Sequence, residues 1–115
     1  MSYDEQETNN HQYVVLEVDE AKAGLSRDDL VRVLEAERVL ARRYFYPGVH
    51  EMEPYRSLHR AEPLALPETD RLCARVMNLP TGTAVSQRDV HLICDIIAQA
   101  VQNAAGVRER LRYAT

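Results

Sequence analysis

The chain has 115 residues, of which 45% are hydrophobic and 28% are charged, a composition typical of one ordinary globular domain. Its 14 basic and 18 acidic residues give a net charge of -4, whereas duplex-binding proteins usually carry a basic stripe, so nucleic acid is not an expected partner. The apolar runs are too short to span a membrane, and the polar start MSYDEQETNN lacks the apolar stretch of a signal peptide. We therefore expect a cytoplasmic protein with no membrane partner.

The first part of the chain predicts a polar tail followed by a strand. Residues 1–11 are polar and are expected to form an N-terminal tail. Residues 13–18 are rich in β-branched side chains and predict a strand. The residues expected to share its core-facing side are Val14, Leu16 and Val18. A loop containing Lys22 and Gly24 is expected next.

A helix and a second strand are predicted between residues 26 and 46. Ser26 is suited to cap a helix that ends near Glu37, and the two aspartates that follow favour the positive end of the helix dipole. Residues 39–46 predict a strand that ends in three aromatic residues, and Pro47-Gly48 marks a turn after it.

The second half predicts a short helix, a strand and a long helix. Pro67 suits the first turn of a helix that runs to about Ala74, and residues 75–79 predict a short strand. Ser86 is expected to cap the last helix, with an acidic residue three positions on. Its predicted core stripe consists of Val90, Ile93, Cys94, Ile97 and Val101. Gly106 is expected to end or kink this helix.

The order of these elements predicts the fold class. Residues 12–115 are expected to form one α+β, two-layer domain, with a small three-stranded sheet and helices packed on one face. The connections leave the sense of the strands open.

The spacing of the histidines and cysteines does not predict a metal site or a nucleophilic site. His50, Glu53 and His59 are close in sequence, but structural zinc needs a closed set of four ligands, and no HExxH motif or Cys/His cluster occurs. Cys73 and Cys94 follow no CxxC spacing and are expected to be reduced, buried hydrophobes. There is no Gly-rich phosphate loop and no GxSxG elbow, so no catalytic residue is predicted.

Residues 42–46, with the sequence RRYFY, interleave cations with aromatic rings, and two interpretations stay open. One is a strand with a packed face and a solvated face, which composition alone favours. The other is a ligand edge, at which guanidinium groups bind phosphate and a ring stacks on a base or a sugar.

Three segments resemble the landmarks of one enzyme family. They are ARRYFYPGVHEMEPY at residues 41–55, LPETDRL at residues 66–72 followed by RVMNLPTG at residues 75–82, and Asp89-Val90 at the start of the terminal amphipathic helix. In this order and spacing they resemble the DegT/DnrJ/EryC1/StrS aminotransferases, over residues 12 to about 104. The match is to the C-terminal small domain of those enzymes.

The resemblance implies an activity that needs more than this domain. Members of the family transfer an amino group from glutamate to a keto sugar carried on a nucleotide diphosphate, in deoxy- or amino-sugar biosynthesis. Their large N-terminal domain holds pyridoxal phosphate (PLP) and the lysine that binds it. The resemblance therefore implies PLP for the full-length enzyme, but no cofactor in this chain, which we expect to be inactive alone. Its single lysine, Lys22, lies in a loop that matches none of the family's lysine contexts.

The resemblance also implies a set of substrate-binding residues. In the family, the segment that matches Tyr44–His50 borders the mouth of the active site, where it contacts the nucleotide-linked sugar. The residues of this sequence that it makes candidates are Arg43, Tyr44, Phe45, Tyr46 and His50. The alternative for each is packing of the strand and its turn.

Three functions follow, and they belong to different classes. The leading one is the C-terminal domain of a PLP-dependent sugar aminotransferase. The others are a stand-alone interaction module and a weak binder of sugar nucleotides or anions. The face that a large domain would cover is expected near Tyr44–Tyr46, Met52 and Tyr55, and we expect the chain to self-associate as a dimer through it.

Overall fold

The computed structural model describes residues 6, 8, 10, 12–59 and 64–113. Apart from residues 6, 8 and 10, the tail predicted over residues 1–11 lies outside the described residues. Within these ranges the strands and helices follow in the order β1 (Val14–Glu17), α1 (Glu20–Ala23), α2 (Arg27–Ala36), β2 (Arg42–Arg43), α3 (Tyr55–Leu58), α4 (Pro67–Arg75), β3 (Val76–Leu79), α5 (Gln87–Gln102) and α6 (Ala104–Tyr113). A short 3₁₀ turn, Val49–Glu51, precedes α3.

The three strands form one antiparallel sheet in the order β1-β3-β2, so that β3 is the central strand. Met77 of β3 pairs with Leu16 on one side and Arg43 on the other, and these three residues share one face. That face packs on α2, and Ile93 of α5 belongs to the same core cluster as Met77. The predicted α+β fold with a small three-stranded sheet is confirmed.

Two capping boxes start the helices that cover the sheet. The Ser26 hydroxyl accepts a hydrogen bond from the Asp29 backbone N–H, while the Asp29 carboxylate accepts one from the Ser26 N–H. Ser86 and Asp89 make the same reciprocal pair at the start of α5. Both predicted helix starts are confirmed, because each satisfies two backbone donors that would otherwise lack partners. The core that these elements enclose consists of Val18, Leu25, Leu30, Val31, Leu34, Ala41, Met77, Ile93 and Ala100.

The strand predicted over residues 39–46 is wrong in its length. Pairing with β3 is limited to Arg42 and Arg43, and the backbone then turns at Tyr44 and Phe45. Phe45 has a φ of 46°, a left-handed conformation that a continuing strand does not adopt. The expected loop at Lys22 is also wrong, because α1 occupies it.

The predicted core stripe of α5 is only partly correct. Ile93 is buried and Ile97 packs against the core, but Val90 is 49% exposed and Cys94 is exposed. The orientation of the helix is set by its contact with α2. The expectation that both cysteines are buried is therefore wrong for Cys94, while Cys73 is partly buried.

The end of α5 also differs from the prediction. The helix stops at Asn103 rather than at Gly106, and α6 follows at an angle of 91°. In the described residues, no single helix is both long enough and apolar enough to cross a membrane. The bent pair of α5 and α6 reaches that length and composition only when the two helices are counted together.

Candidate functional site

The loop after β2 separates the five candidate residues onto two surfaces. Since the chain reverses at Tyr44 and Phe45, Arg43 and Tyr46 lie beside the start of α2, whereas Tyr44, Phe45 and His50 line a cavity on the other side. Their nearness in sequence predicts that the candidates in residues 43–50 share one surface, but the turn places them on two.

The first surface, which we call the ionic cluster, consists of Arg27, Asp28, Arg43 and Tyr46. Asp28 Oδ1 accepts a hydrogen bond from Arg27 Nε at 2.7 Å and forms an ion pair with Arg43 Nε at 3.0 Å. Both guanidinium groups lie over the Tyr46 ring, 5.2 and 5.3 Å from its centre, within the range of a cation–π contact. Two cations share one carboxylate, so the cluster carries a net positive charge.

Arg27 anchors the ionic cluster to the sheet. It is 2% exposed, and its Nη1 donates a 2.6 Å hydrogen bond to the carbonyl oxygen of Val76 in β3. Arg43 is different, because its side chain is 43% exposed and only its Nε has an ion-pair partner among the described residues. Arg43 is therefore held in place by Asp28 while a large part of its side chain stays accessible to solvent.

The second surface, which we call the apolar groove, has a volume of about 790 Å³. Its floor includes Val15 and Val76, which lie on the sheet face opposite the core. The turn after β2, the 3₁₀ turn, α3 and α4 form its walls. The residues that line it besides those two are Tyr44, Phe45, Gly48, Val49, His50, Tyr55, His59, Leu64, Leu66, Thr69, Leu72 and Cys73.

A close approach of backbone and ring fixes the position of His50 in the lining of the apolar groove. The side chain of His50 is 6% exposed, and its Nε2 lies 2.9 Å from Asp70 Oδ1 in α4. A Cβ atom on Gly48 would lie 2.7 Å from Cε1 of this ring, so only glycine fits there without a shift. The contact between His50 and Asp70 ties the loop after β2 to α4.

Aromatic contacts hold the turn that separates the two surfaces. The rings of Tyr44 and Phe45 lie 4.2 Å apart, and the Tyr13 ring lies 5.9 Å from that of Tyr44. Such tilted pairs add to the stabilisation that comes from area burial. Arg27 and Asp28 were not predicted as parts of this region. Their only signal in the sequence is their place in the first turn of a capped helix.

Comparison with known proteins decides the family. The sequence profile of the DegT/DnrJ/EryC1/StrS aminotransferase family matches residues 1–98. The chain belongs to this family. The three landmark segments in residues 41–90 all lie within the matched range.

Two known proteins are similar to this chain. It is 29% identical over 89 residues to the dTDP-4-amino-4,6-dideoxy-D-glucose transaminase of Escherichia coli, covering 77% of this chain and 24% of that protein. A crystal structure of DesI in the presence of its TDP-sugar product is 46% identical, with a TM-score of 0.80 over 90% of this chain and 26% of that one. The chain therefore spans about a quarter of the length of each relative.

The single lysine of this sequence does not have the surroundings that a PLP-binding lysine needs. A lysine that binds PLP needs a desolvated setting and a cofactor held against it. Lys22 lies on α1, where its side chain is 86% exposed and its Nζ lies 3.6 Å from Asp19 Oδ2. It lines neither the apolar groove nor the ionic cluster, so no step is assigned to it.

Two ion pairs of the described residues involve α3 and α4, which form walls of the apolar groove. Arg56 contacts Glu53 at 2.9 Å, and Arg71 contacts Glu68 at the same distance. Hydrogen bonds from Ser57, with the Arg56 side chain second, hold the pKa of Glu53 below its ordinary value. Within the described ranges, no three His, Cys, Asp or Glu side chains group as metal ligands.

Proposed function

We propose that this chain is the C-terminal small domain of a PLP-dependent aminotransferase that acts on a keto sugar linked to a nucleotide. In this proposal the chain contributes one wall of the substrate site, while PLP and its lysine belong to other parts of a full-length enzyme. The domain assignment over residues 12–115 and the cytoplasmic location stay predictions.

One observation carries the proposal. DesI, whose crystal structure was determined with a TDP-sugar product, shares 46% identity and a TM-score of 0.80 with 90% of this chain. Identity at this level over nearly the whole chain supports a common domain rather than a common fold alone. The E. coli relative, a transaminase of a dTDP-linked amino sugar, supports the same substrate class.

The ionic cluster suits the anionic part of such a substrate. Guanidinium groups bind phosphate oxygens through paired N–H donors, and the side chain of Arg43 is 43% exposed. A site for a small molecule also needs polar groups that fix its orientation, and the ionic cluster supplies them where the apolar groove does not. Among the five candidates, we therefore assign phosphate contact to Arg43 and contact with the sugar or base to the Tyr46 ring beside it. Tyr44 and Phe45 line the apolar groove on the other side of the turn, and His50 positions the loop.

An NMR titration of the whole chain with dTDP-glucose tests this assignment. We expect weak binding, with a Kd on the order of 1 mM, because one wall leaves much of the ligand in water while association still costs translational and rotational entropy. Shifts should concentrate at residues 43–50, and Arg43→Gln should abolish them. Arg42→Gln is the matched control and should weaken binding less than threefold. Shifts confined to α5, or equal losses in both variants, would contradict the assignment.

Catalysis is tested separately from binding. The chain alone, supplied with PLP, glutamate and a dTDP-linked keto sugar, should produce no amino sugar above the rate without protein. Any turnover by the chain alone would contradict the proposal that the catalytic lysine lies elsewhere. Loss of that turnover in Lys22→Ala would then assign the catalytic role to Lys22.

A second function is favoured by one specific observation. The apolar groove exposes several large hydrophobic side chains, as in a domain that works by binding another polypeptide. A stand-alone interaction module would keep the fold and bind a partner there, with no need for PLP.

A further inference from the structure

We propose that α6 is a hinged strap with two positions. In the position that the structure shows, α6 turns at Asn103, at 91° to α5, and is latched to α2. In the other position, α5 continues without a break through residue 113 and α6 leaves α2. The proposal concerns how one helix packs on the rest of the domain, so it does not depend on the substrate or on the aminotransferase reaction.

The apolar pattern of α5 continues through the bend into α6 without a change of register. Along residues 90–111, apolar side chains recur at alternating intervals of three and four residues, which is the spacing of one face of a single helix. They are Val90, Ile93, Ile97, Ala100, Ala104, Val107 and Leu111. Two helices that form independently have no reason to share one register, so residues 87–113 are also suited to a single long helix.

The start of α6 lacks the interaction that begins the two other long helices. α2 and α5 each begin with a serine–aspartate capping box, whereas Gly106 occupies the third position of α6 and has no side chain to complete such a box. The side-chain amide of Asn103 donates a 2.9 Å hydrogen bond back to the Gln99 carbonyl and so closes the end of α5. The first N–H groups of a helix have no partner inside it, and in a straight helix those of α6 would bond the carbonyls of residues 100–102.

Gly106 weakens α6 without a steric need for glycine. Outside the helix's own backbone, a Cβ atom at this position would meet none of the described atoms within 4 Å, and the backbone there is not left-handed. Since glycine loses more backbone freedom than any other residue when a helix forms, it lowers the stability of α6. A helix that is weak by itself depends on contacts with the rest of the domain for its position.

Contacts at its two ends hold α6 in the bent position. Near the bend, Ala104 lies so close to the end of α1 that a Cβ atom on Gly24 would be 2.9 Å from the Ala104 Cβ. In the last turn, the carbonyl oxygen of Leu111 accepts a 3.1 Å hydrogen bond from Nη2 of Arg32 in α2. We call this bond the latch, because carbonyls in the last turn have no partner inside the helix.

The corner between α2, α5 and α6 is not filled. A cavity of about 760 Å³ lies there, with Val33, Ile96 and Val107 among its lining residues, and no residue of α6 is fully buried. A region with few buried apolar contacts opens more readily than the rest of a domain. The bent position therefore depends on the latch and on the contact near the bend, and loss of the latch should favour the straight position.

The distance between two spin labels on the whole chain tests the proposal. The labels are attached through Arg88→Cys, near the start of α5, and Tyr113→Cys, at the end of α6, since both positions are exposed. Cys73→Ser and Cys94→Ser remove the native thiols. With a rise of about 1.5 Å per residue and the bend at Asn103, the two labelled backbone positions lie about 27 Å apart in the bent chain and about 38 Å apart in a straight helix.

The labelled chain should show chiefly the shorter distance, with the longer one as a minor state of about 0.1–10%. Arg32→Met should raise the ratio of the longer to the shorter distance about tenfold, because it removes a hydrogen bond from a charged donor. Arg38→Met is the matched control, since it removes the same charge beyond the end of α2 without lining the cavity, and it should leave the ratio unchanged within twofold. Ala105→Pro should remove the longer distance, because proline is tolerated in the first turn of α6 but not in the middle of one long helix.

Three outcomes would overturn the proposal. A ratio that Arg32→Met leaves unchanged would show that its contact with Leu111 is not a latch. A broad distribution of distances in Arg32→Met, without a peak near the longer distance, would show that α6 unfolds rather than straightens. A longer distance that persists in Ala105→Pro would show that it comes from another arrangement of the chain. Circular dichroism of every variant checks that the domain itself stays folded.

Discussion

Replacement of Arg27 by methionine should weaken the fold more than its position in the first turn of a helix suggests. Arg27 is almost fully buried, and its guanidinium hydrogen-bonds the Val76 carbonyl at 2.6 Å and Asp28 at 2.7 Å. Methionine preserves the apolar stem of the side chain but removes all of its donors. The Val76 carbonyl then lies at the sheet without this partner.

The expected loss of stability follows from these two contacts. A hydrogen bond from a charged donor contributes about 1.5–3 kcal/mol, and a buried carbonyl left without its donor costs a similar amount. The contact with Asp28 adds roughly 0.5 kcal/mol, since that carboxylate is half-exposed and keeps its bond to Arg43. Burial of the methionine side chain offsets part of the loss. We expect Arg27→Met to lower the free energy of unfolding by about 2–3 kcal/mol.

Urea denaturation followed by far-UV circular dichroism measures this change, at one protein concentration because self-association shifts apparent stability. Arg42→Met is the matched control, since Arg42 is exposed and has no ion pair among the described residues, and it should cost less than about 0.5 kcal/mol. If the two variants lose the same stability within error, the buried guanidinium does not tie α2 to β3, and the reasoning fails.

Three further changes test the core, the loop and a helix cap. Ile93→Ala removes three carbons from a side chain that is 7% exposed and should lower the free energy of unfolding, measured by urea denaturation, by about 3 kcal/mol. Val90→Ala, at a half-exposed position, should lower it by less than about 1 kcal/mol. Equal losses would show that another face of α5 is buried. Gly48→Ala should displace the His50 ring and shift the amide resonances of residues 49–52 in NMR spectra, while unchanged spectra would contradict the close approach. Hydrogen bonds from the Ser86 hydroxyl and, second, from the Ser86 backbone N–H hold the pKa of Asp89 below its ordinary 3.8. The wild-type chain should therefore be more stable than Asp89→Asn at neutral pH, and this difference should disappear as the pH falls below 3.8. A constant difference across that range would contradict the cap.

Helix starts could be predicted from the sequence because the interactions that form them are local. Each capping box joins a serine to an aspartate three residues on, and both partners are visible in the sequence. Pro67 at the first position of α4 is likewise a local signal, since its missing N–H needs no partner there. These features do not depend on what the rest of the chain does.

Features that depend on distant parts of the chain could not be predicted. Arg27 follows a cap and would ordinarily be solvent-exposed, yet it is buried because its partner in β3 lies 49 residues away. The buried stripe of α5 shifts from Val90 and Cys94 toward Ile96 and Ala100 because of the position of α2. Periodicity showed that α5 has an apolar side, but only the packing of α2 decides which residues that side contains.

The candidate site was predicted as one surface because its residues are consecutive. Alternation along a strand would have placed Tyr44 and Tyr46 on one face and Phe45 on the other. The left-handed backbone at Phe45 instead sends Tyr44 and Phe45 to the apolar groove and Tyr46 back over the two arginines. A turn that depends on one unusual φ value at a non-glycine residue leaves no signal in composition.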